Sequence, residues 1–259
     1  FGFYLRSLLD GTLGYSYKKD AAVSALIGEK IGYTLQITVP AVLLSAGIGL
    51  LWGLRCGYKK GGLADRLSTA TLIVLNAVPT FLIGLGLMIV FCFQNRWLPY
   101  TGLNSPETVR GTVGYVWDRV LHLLLPVVTL TLAALPSRYL LVRNMAASAS
   151  DGKDILYAKQ RGLPDRVIRR EYLLRSIAQP FLTMLGMSVS LCVGGSVVIE
   201  QIFNWNGMGT LFLNANNTND YPLMMGIMLF LSFFALVANL VTDLCYCLLD
   251  PRVTVGGAR

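Results

Sequence analysis

From Lys153 to Arg175 the chain sets seven Lys or Arg against three acids, between two long uncharged runs. Charge at that density can keep a loop solvated, hold a helix on a lipid surface, bind nucleic acid or dock a soluble protein. Groups able to do covalent or metal chemistry are sparse by comparison. His122 is the only histidine, and one His is poor evidence for a metal site. The five cysteines, Cys56, Cys92, Cys192, Cys245 and Cys247, form no CxxC pair and read as small packing residues. There is no GxxxxGK[ST] phosphate-binding loop. No nucleophile with a base, and no pair of acids, falls within an uncharged run. The expectation is a non-catalytic chain that holds no metal or cofactor itself.

The elements around the basic segment are apolar. Of 259 residues, 54% are hydrophobic and only 14% charged, with a mean hydropathy of +0.57. Soluble domains average about 25% charged residues, so this is a membrane composition. Five stretches lack Asp, Glu, Lys and Arg for about the 20 residues that a bilayer requires: Ile31–Leu54, Leu67–Phe93, Val120–Ser137, Ser176–Ile199 and Tyr221–Thr242. Each must be helical, because no water in the bilayer core can satisfy its backbone. The fold expected is an all-α membrane protein, a polytopic bundle of five spans. Its prolines, Pro40, Pro79, Pro126, Pro136 and Pro180, remove backbone donors and predict kinks. Met184, Met187, Met224, Met225 and Met228 read as packing or as a soft path for a ligand.

The net charge of +8 is distributed between the spans. Loop 55–66 carries four Lys or Arg and 143–175 carries eight, whereas 94–119 carries three and 201–220 none. The positive-inside rule puts the first two loops and the C-terminus in the cytoplasm. Residues 1–30 then lie outside, although they carry four basic residues. An odd span number with that N-terminus implies that an earlier span is missing.

Pro164 divides the basic segment. Ser150 or Asp151 can cap a short helix running to about Arg161, which Gly162 would stop. Asp165–Gln179 reads as a second helix continuing into the Ser176–Ile199 span. On the first helix Asp154, Ala158 and Gly162 share a face, with Ile155 beside them. Two residues of so little bulk would let the helix backbone sink into a groove on another molecule. On the second, Arg166, Arg169 and Arg170 share an arc with Leu173, whereas a lipid-surface helix would segregate its faces. No nucleic-acid motif accompanies the charge. A solvated loop and a docking site both remain open on these grounds.

The segment YAKQRGLPDRVIRREYLLRSIAQP resembles the EAA-type coupling loop of ABC importer permeases of the dipeptide, oligopeptide and nickel family. Ala158, Gly162, Leu163, Arg166, Val167, Arg175 and Pro180 stand at matching positions. LLDGTLGYS, TLQIT, VPTFLIGLGLM, WLPYTG, HLLLPVVTLTL, SRYLLVRNM, the outer VVIEQIFNWNGMGTLFLNANNTNDYP and the final LLDPR are similar in the same order. Leu156 replaces the acid of the EAA segment, Asp154 stands where an aromatic is usual, and Asn206 replaces a proline.

The resemblance implies an extracytoplasmic segment over 1–30, a permease domain over 31–250 with its coupling loop at 143–175, and a cytoplasmic tail over 251–259. It also implies six spans in the complete family pattern. The expected partners are two cytosolic ATP-binding subunits carrying ATP and Mg, a second homologous permease and an extracytoplasmic substrate-binding protein, with no nucleic acid. Residues 151–164 would couple to the ATPase through Asp154, Ile155, Ala158, Lys159, Arg161, Gly162 and Leu163, with Arg166 just beyond them. The expected location is the bacterial inner membrane.

The segment after Glu200 has six Asn and no Lys or Arg up to Asp220. Trp205 beside Gly207 and Gly209 suits a tight re-entrant turn. Glu200, Phe203, Trp205, Gly207, Gly209, Asp220, Tyr221 and Pro222 are the candidates for an outer gate or for the face that meets the delivering protein. Glu200 itself ends a span near the interface and need not be buried. Peptides, nickel, metal chelates and small glycosides all remain open as cargo. The alternative readings are a secondary transporter, which the lack of ionisable residues within the spans disfavours, and a membrane scaffold that only recruits a soluble partner.

Overall fold

The computed structural model describes residues 12–192 and 197–249. A two-residue antiparallel hairpin, β1 (Tyr15–Ser16) and β2 (Ala21–Ala22), pairs Tyr15 with Ala22 and leads directly into α1 (Val23–Tyr58). Then follow α2 (Leu63–Asn76), α3 (Thr80–Met88), which ends in a π-helical turn at Ile89–Gln94, and α4 (Val113–Ala149). The basic segment forms α5 (Lys153–Gln160), a single turn α6 (Asp165–Val167), a π-helical stretch Ile168–Leu173 and α7 (Leu174–Cys192). α8 (Val197–Ile202), α9 (Met208–Asn217) and α10 (Tyr221–Leu249) complete the described order.

Among the described residues, α1, α4 and the Tyr221–Thr242 part of α10 are long and apolar enough to cross a bilayer. α2 and α3 qualify only as a broken pair, giving four candidates at most. The break falls at Pro79, which cannot donate the backbone hydrogen bond needed to continue α2. The fifth expected span, Ser176–Ile199, maps onto α7 up to Cys192, and residues 193–196 lie outside the described ones. Helical backbone continues through Pro126 and Pro136 of α4. At 37 residues, or about 55 Å at 1.5 Å per residue, α4 exceeds the ~30 Å hydrocarbon core.

The chain divides into two compact units: 1–40, 80–129 and 189–238 in the first, and 41–79, 130–188 and 239–259 in the second. In the first, Val23, Ile27, Met208, Leu211, Ala215, Leu223 and Ile227 form a buried apolar cluster. In the second, Leu54, Tyr58, Val142, Ala146, Ile155, Ala158, Ile168, Leu173 and Ile177 belong to one cluster.

Close helix approach in the second unit depends on glycines spaced four apart on α1. A Cβ on Gly49 would lie 3.1 Å from Cβ of Arg138, one on Gly53 2.9 Å from the Val142 side chain, and one on Gly57 2.5 Å from the Arg143 carbonyl oxygen. Residues of this size at this spacing let helices pack backbone to backbone where lipid supplies no hydrophobic drive.

Polar groups fix the same pair of helices. Arg138, which the span assignment left just beyond Ser137, lies within continuous α4. It is buried and donates from Nη1 to the Val42 carbonyl at 2.8 Å and to the Ser45 hydroxyl. Arg138 is thus a buried ionisable side chain on a helix long and apolar enough to span, one residue past the charge-free run. A buried guanidinium is tolerable here because backbone and hydroxyl oxygens replace its water.

Candidate functional site

The basic segment is built around Gly152 and Gly162. Gly152, not Ser150 or Asp151, occupies the cap position before α5, with extended backbone angles and no side-chain cap. The expected caps have other partners: the Ser150 hydroxyl donates to the Ala146 carbonyl at 2.7 Å within the end of α4, and Asp151 pairs with Lys60. Gly162 ends the helix as expected. Its φ is +72°, its N–H donates to the Lys159 carbonyl at 2.9 Å, and the Leu163 N–H donates to the Ala158 carbonyl at 3.2 Å. That pair of bonds is the Schellman arrangement, which needs a left-handed residue where Gly162 stands.

Of the expected small-residue face only Ala158, with Ile155 beside it, points inward, while Asp154 and Gly162 are exposed, and this corrects the expected seating. Ala158 and Ile155 are each 2% exposed, packed in the chain's own second-unit core. The groove into which α5 sinks is therefore its own. Leu163 packs against the same cluster. Outward stand Asp154, Leu156, Tyr157, Lys159 and Arg161, with Gly162 and Arg166 also exposed. A cavity of about 490 Å³ opens beside them, lined by Asp154, Tyr157, Arg161, Glu171, Tyr172 and Arg175, among others.

Tyr58, at the end of α1, joins these parts. Its hydroxyl donates to Asp165 Oδ1 at 2.8 Å, while Lys159 and Arg169 sit over its ring at 5.0 and 5.6 Å from the centroid. Lys59 adds an ion pair to Asp165 at 3.8 Å. The π-helical stretch that follows has i→i+5 bonding, which brings residues five apart toward one face. Ile168 and Leu173, at that spacing, are both buried. Nearby, Asp65 is 2% exposed and takes a forked pair of hydrogen bonds from Arg143, with Nε at 2.8 Å. Asp65 also accepts the Gly61 N–H at 2.9 Å, so the start of α2 is tied to α4.

The second candidate region, in the first unit, is a turn wound around one carboxylate. Glu200 is fully buried, against the expectation of an interfacial position. Its Oε1 accepts the Thr34 hydroxyl at 2.7 Å and its Oε2 the Thr210 N–H at 2.9 Å. The Met208 N–H donates to Thr34 Oγ1 at 2.8 Å. Glu200 and Thr34 thus serve the open N–H groups at the start of α9, where Gly207 offers no side chain. A carboxylate at a helix N-terminus is favourable, and this is why burial is tolerated. Burial still pushes the Glu200 carboxyl above the ordinary glutamate range, with the bonds from Thr210 and Thr34 pulling the other way.

The turn closes as its Trp and glycines suggest. Trp205 is fully buried, and its indole N–H donates to the Tyr33 carbonyl at 2.7 Å. A Cβ on Gly207 would collide with Thr34 Oγ1 and Glu200 Oε1, and one on Gly209 would lie 2.8 Å from Val197 Cα. Phe203 is buried, and its carbonyl accepts the Gly102 N–H at 3.0 Å. The guanidinium of Arg119 lies 5.0 Å from the Trp205 ring and 5.2 Å from that of Tyr33.

Asp220, Tyr221 and Pro222 stand apart from this knot. Asp220 caps α10 through the Leu223 N–H at 3.3 Å and also accepts the Ser16 hydroxyl. Pro222 is in the first turn of α10, where a missing N–H costs nothing. His122 is buried, with Nδ1 2.8 Å from the Asp118 carbonyl oxygen.

Tyr58, Asp65, Arg138, Arg143, Thr34 and Arg119 were not singled out from sequence. Asp65 is the one acid in a loop of four bases, and that was an available signal. Tyr58 and Thr34 had none, because their partners are over a hundred residues away in sequence.

These features define a polytopic helical membrane protein with a short charged helix seated on its core. The chain resembles a solved structure of the MetNI methionine ABC transporter in inward-facing conformation, with a TM-score of 0.67, 15% identity, and coverage of 88% of this chain and 97% of that one. The family model described as "Binding-protein-dependent transport system inner membrane component" matches residues 48–255, and the chain belongs to that family. It is a permease component of a binding-protein-dependent importer and a multi-pass membrane protein. A putative peptide permease of Brucella ovis is 31% identical over 255 residues, covering 97% of this chain and 78% of that protein. The oligopeptide permease OppB of Mycobacterium tuberculosis is 31% identical over 242 residues, covering 90% and 74%. The oligopeptide permease AppB of Bacillus subtilis is 28% identical over 251 residues, covering 96% and 78%.

Proposed function

We propose that this chain is the transmembrane permease subunit of an ATP-driven importer of peptides. It pairs with a second homologous permease to form the translocation pathway, receives cargo from an extracytoplasmic binding protein and couples to two cytosolic ATP-binding subunits. ATP and Mg reside on those subunits. The basic loops and the C-terminus face the cytoplasm. The names of the relatives support peptides over nickel or metal chelates.

One observation carries the coupling assignment. α5 is seated on the second-unit core through Ile155 and Ala158 and meets Tyr58 of α1 through Lys159, while Tyr58 also bonds Asp165 just beyond it and the polar side of α5 stays exposed. A helix held on one face and open on the other passes a push from a partner to α1 and α7 as a rigid body. Residues 151–164 therefore act as the coupling element, with Asp154, Lys159, Arg161 and Arg166 available to the ATP-binding subunit and Ile155, Ala158, Gly162 and Leu163 setting the seat. The Glu200 turn is a stiff outer element, suited to meeting the delivering protein.

The test is cysteine cross-linking from position 157 to the co-purified ATP-binding subunit, alongside uptake of a labelled peptide. Cross-links that change with nucleotide, together with ATP-dependent uptake, are expected. Uptake with no cross-link from any exposed position of α5 would overturn the coupling assignment. Peptide uptake that persists without the ATP-binding subunit would overturn the ATP-driven reading.

A further inference from the structure

The first unit contains a cavity of about 620 Å³ between the 102–119 segment and the asparagine-rich turn after Glu200. Its lining includes two guanidinium groups, Arg110 and Arg119, and no carboxylate. Among the described residues neither Arg lies within ion-pairing distance of an acid. The nearest acid, Asp118, lies behind the wall and is occupied by Asn104 and Ser105, so the recess itself presents guanidinium groups and favours an anionic ligand.

The walls are fixed before any ligand arrives. Asp118 accepts the Ser105 N–H at 2.7 Å and the Asn104 amide at 3.0 Å. Arg119 is held by the Leu103 carbonyl at 3.1 Å and Asn104 Oδ1 at 3.0 Å, and stacks over Trp205 and Tyr33. It sets the potential from a locked position. Arg110 is exposed at the rim and is the guanidinium able to swing onto a ligand. Asn204, Asn206 and Asn214 line the opposite side and are exposed. Each primary amide offers a donor and an acceptor, matching what a peptide bond presents. Tyr33 and Tyr115 supply aromatic surface.

We propose that this cleft binds the C-terminal carboxylate and last peptide units of a short peptide, with Arg110 on the carboxylate and the asparagine amides on the backbone. The assignment rests on the peptide-importer reading and deepens it to an outer entry subsite on this chain. A terminal carboxylate satisfies the unpaired charge in a way that an uncharged surface loop of a delivering protein does not. Preformed walls also spare much of the ordering cost of binding.

The experiment uses the full chain with its importer partners in lipid nanodiscs, without the binding protein. Trialanine and trialanine amide are titrated by saturation-transfer NMR. Trialanine should bind about ten-fold more tightly than its amide, as one charge-assisted contact implies. Arg110→Gln should bring the free acid down to the level of the amide. Asn206→Leu should weaken both. Equal binding of acid and amide, absence of binding, or an unaffected Arg110→Gln would overturn the proposal. So would an Arg110→Gln variant that loses affinity for the binding protein while holding trialanine normally, since the cleft would then be a protein contact. Wild-type peptide uptake is measured in parallel; if it is absent, the importer reading fails independently of what the NMR shows.

Discussion

The coupling segment and the Glu200 turn hold short helices in place by opposite means. α5 is seated by apolar contact, with Ile155 and Ala158 in the core and its charges left in solvent. The Glu200 turn buries its charge and satisfies it with Thr34, Thr210 and a helix end. Apolar seating imposes no single bonding geometry, because dispersion contacts are non-directional, yet their sum holds the helix to the core. A buried polar knot has one arrangement that satisfies all its members, and a half-satisfied knot is worse than an apolar core. The first region is thus suited to transmitting movement, and the second to resisting it.

The sharpest way to break this contrast is Gly207→Val. Its Cβ would meet Thr34 Oγ1 and the Glu200 carboxylate together, separating a buried charge from its partners. Leaving a buried charged group without its hydrogen bonds costs about 1–3 kcal/mol or more, and the steric overlap adds to it, so the variant should fail to accumulate as folded protein in fluorescence-detected size exclusion. A normal elution profile would mean that the knot is plastic. Next is Ala158→Leu. If α5 sank into a groove on a partner, thermal stability of the isolated chain would not change. Because Ala158 is packed inside the chain, overpacking should cost about 1–3 kcal/mol and lower the Tm without any ATP-binding subunit. Smaller again is Gly162→Ala. No atom lies within 4 Å of the added Cβ, but φ is +72°, so the cost is backbone strain of about 1–2 kcal/mol. Uptake should fall further for Gly162→Leu only if a partner approaches that point.

The sequence made the long apolar helices, the helix stop at Gly162 and the tight turn at Trp205 legible, because each rests on composition or on a local conformational demand; of the five expected spans, three described helices qualify alone and one more as a broken pair. It misled about Ala158 for an instructive reason. A small residue on a helix face says that something comes close, and it does not say whether the neighbour belongs to the same chain. Glu200 was misplaced for a similar reason: its position at the end of an uncharged run suggests water, whereas the chain folds back and supplies Thr34 and Thr210 instead. The four-residue glycine spacing of Gly49, Gly53 and Gly57 was visible, but its partner Arg138–Ala146 face of α4 was not. Tyr58 shows the limit most clearly, since its contacts with Lys159, Asp165 and Arg169 come from over a hundred residues away in sequence.

Glu200→Gln is the mildest perturbation and the one that separates charge from shape. The folded chain holds this carboxyl with a pKa above its ordinary value of 4.5 because of burial. A raised pKa means that the folded state binds more protons than the unfolded state, so stability is greatest below the ordinary value. It declines as pH rises through the interval up to the raised one. Glutamine keeps the shape and one acceptor for Thr34 or Thr210, but has no charge to desolvate. The wild-type Tm in nanodiscs should therefore fall relative to Glu200→Gln as pH is raised from about 4.5, and the two should converge toward acid. Parallel profiles across that range would mean that α9 and the two threonines fully compensate the buried charge. The turn would then be rigid through hydrogen bonding alone, and its contrast with the coupling segment would rest on geometry and owe nothing to electrostatics.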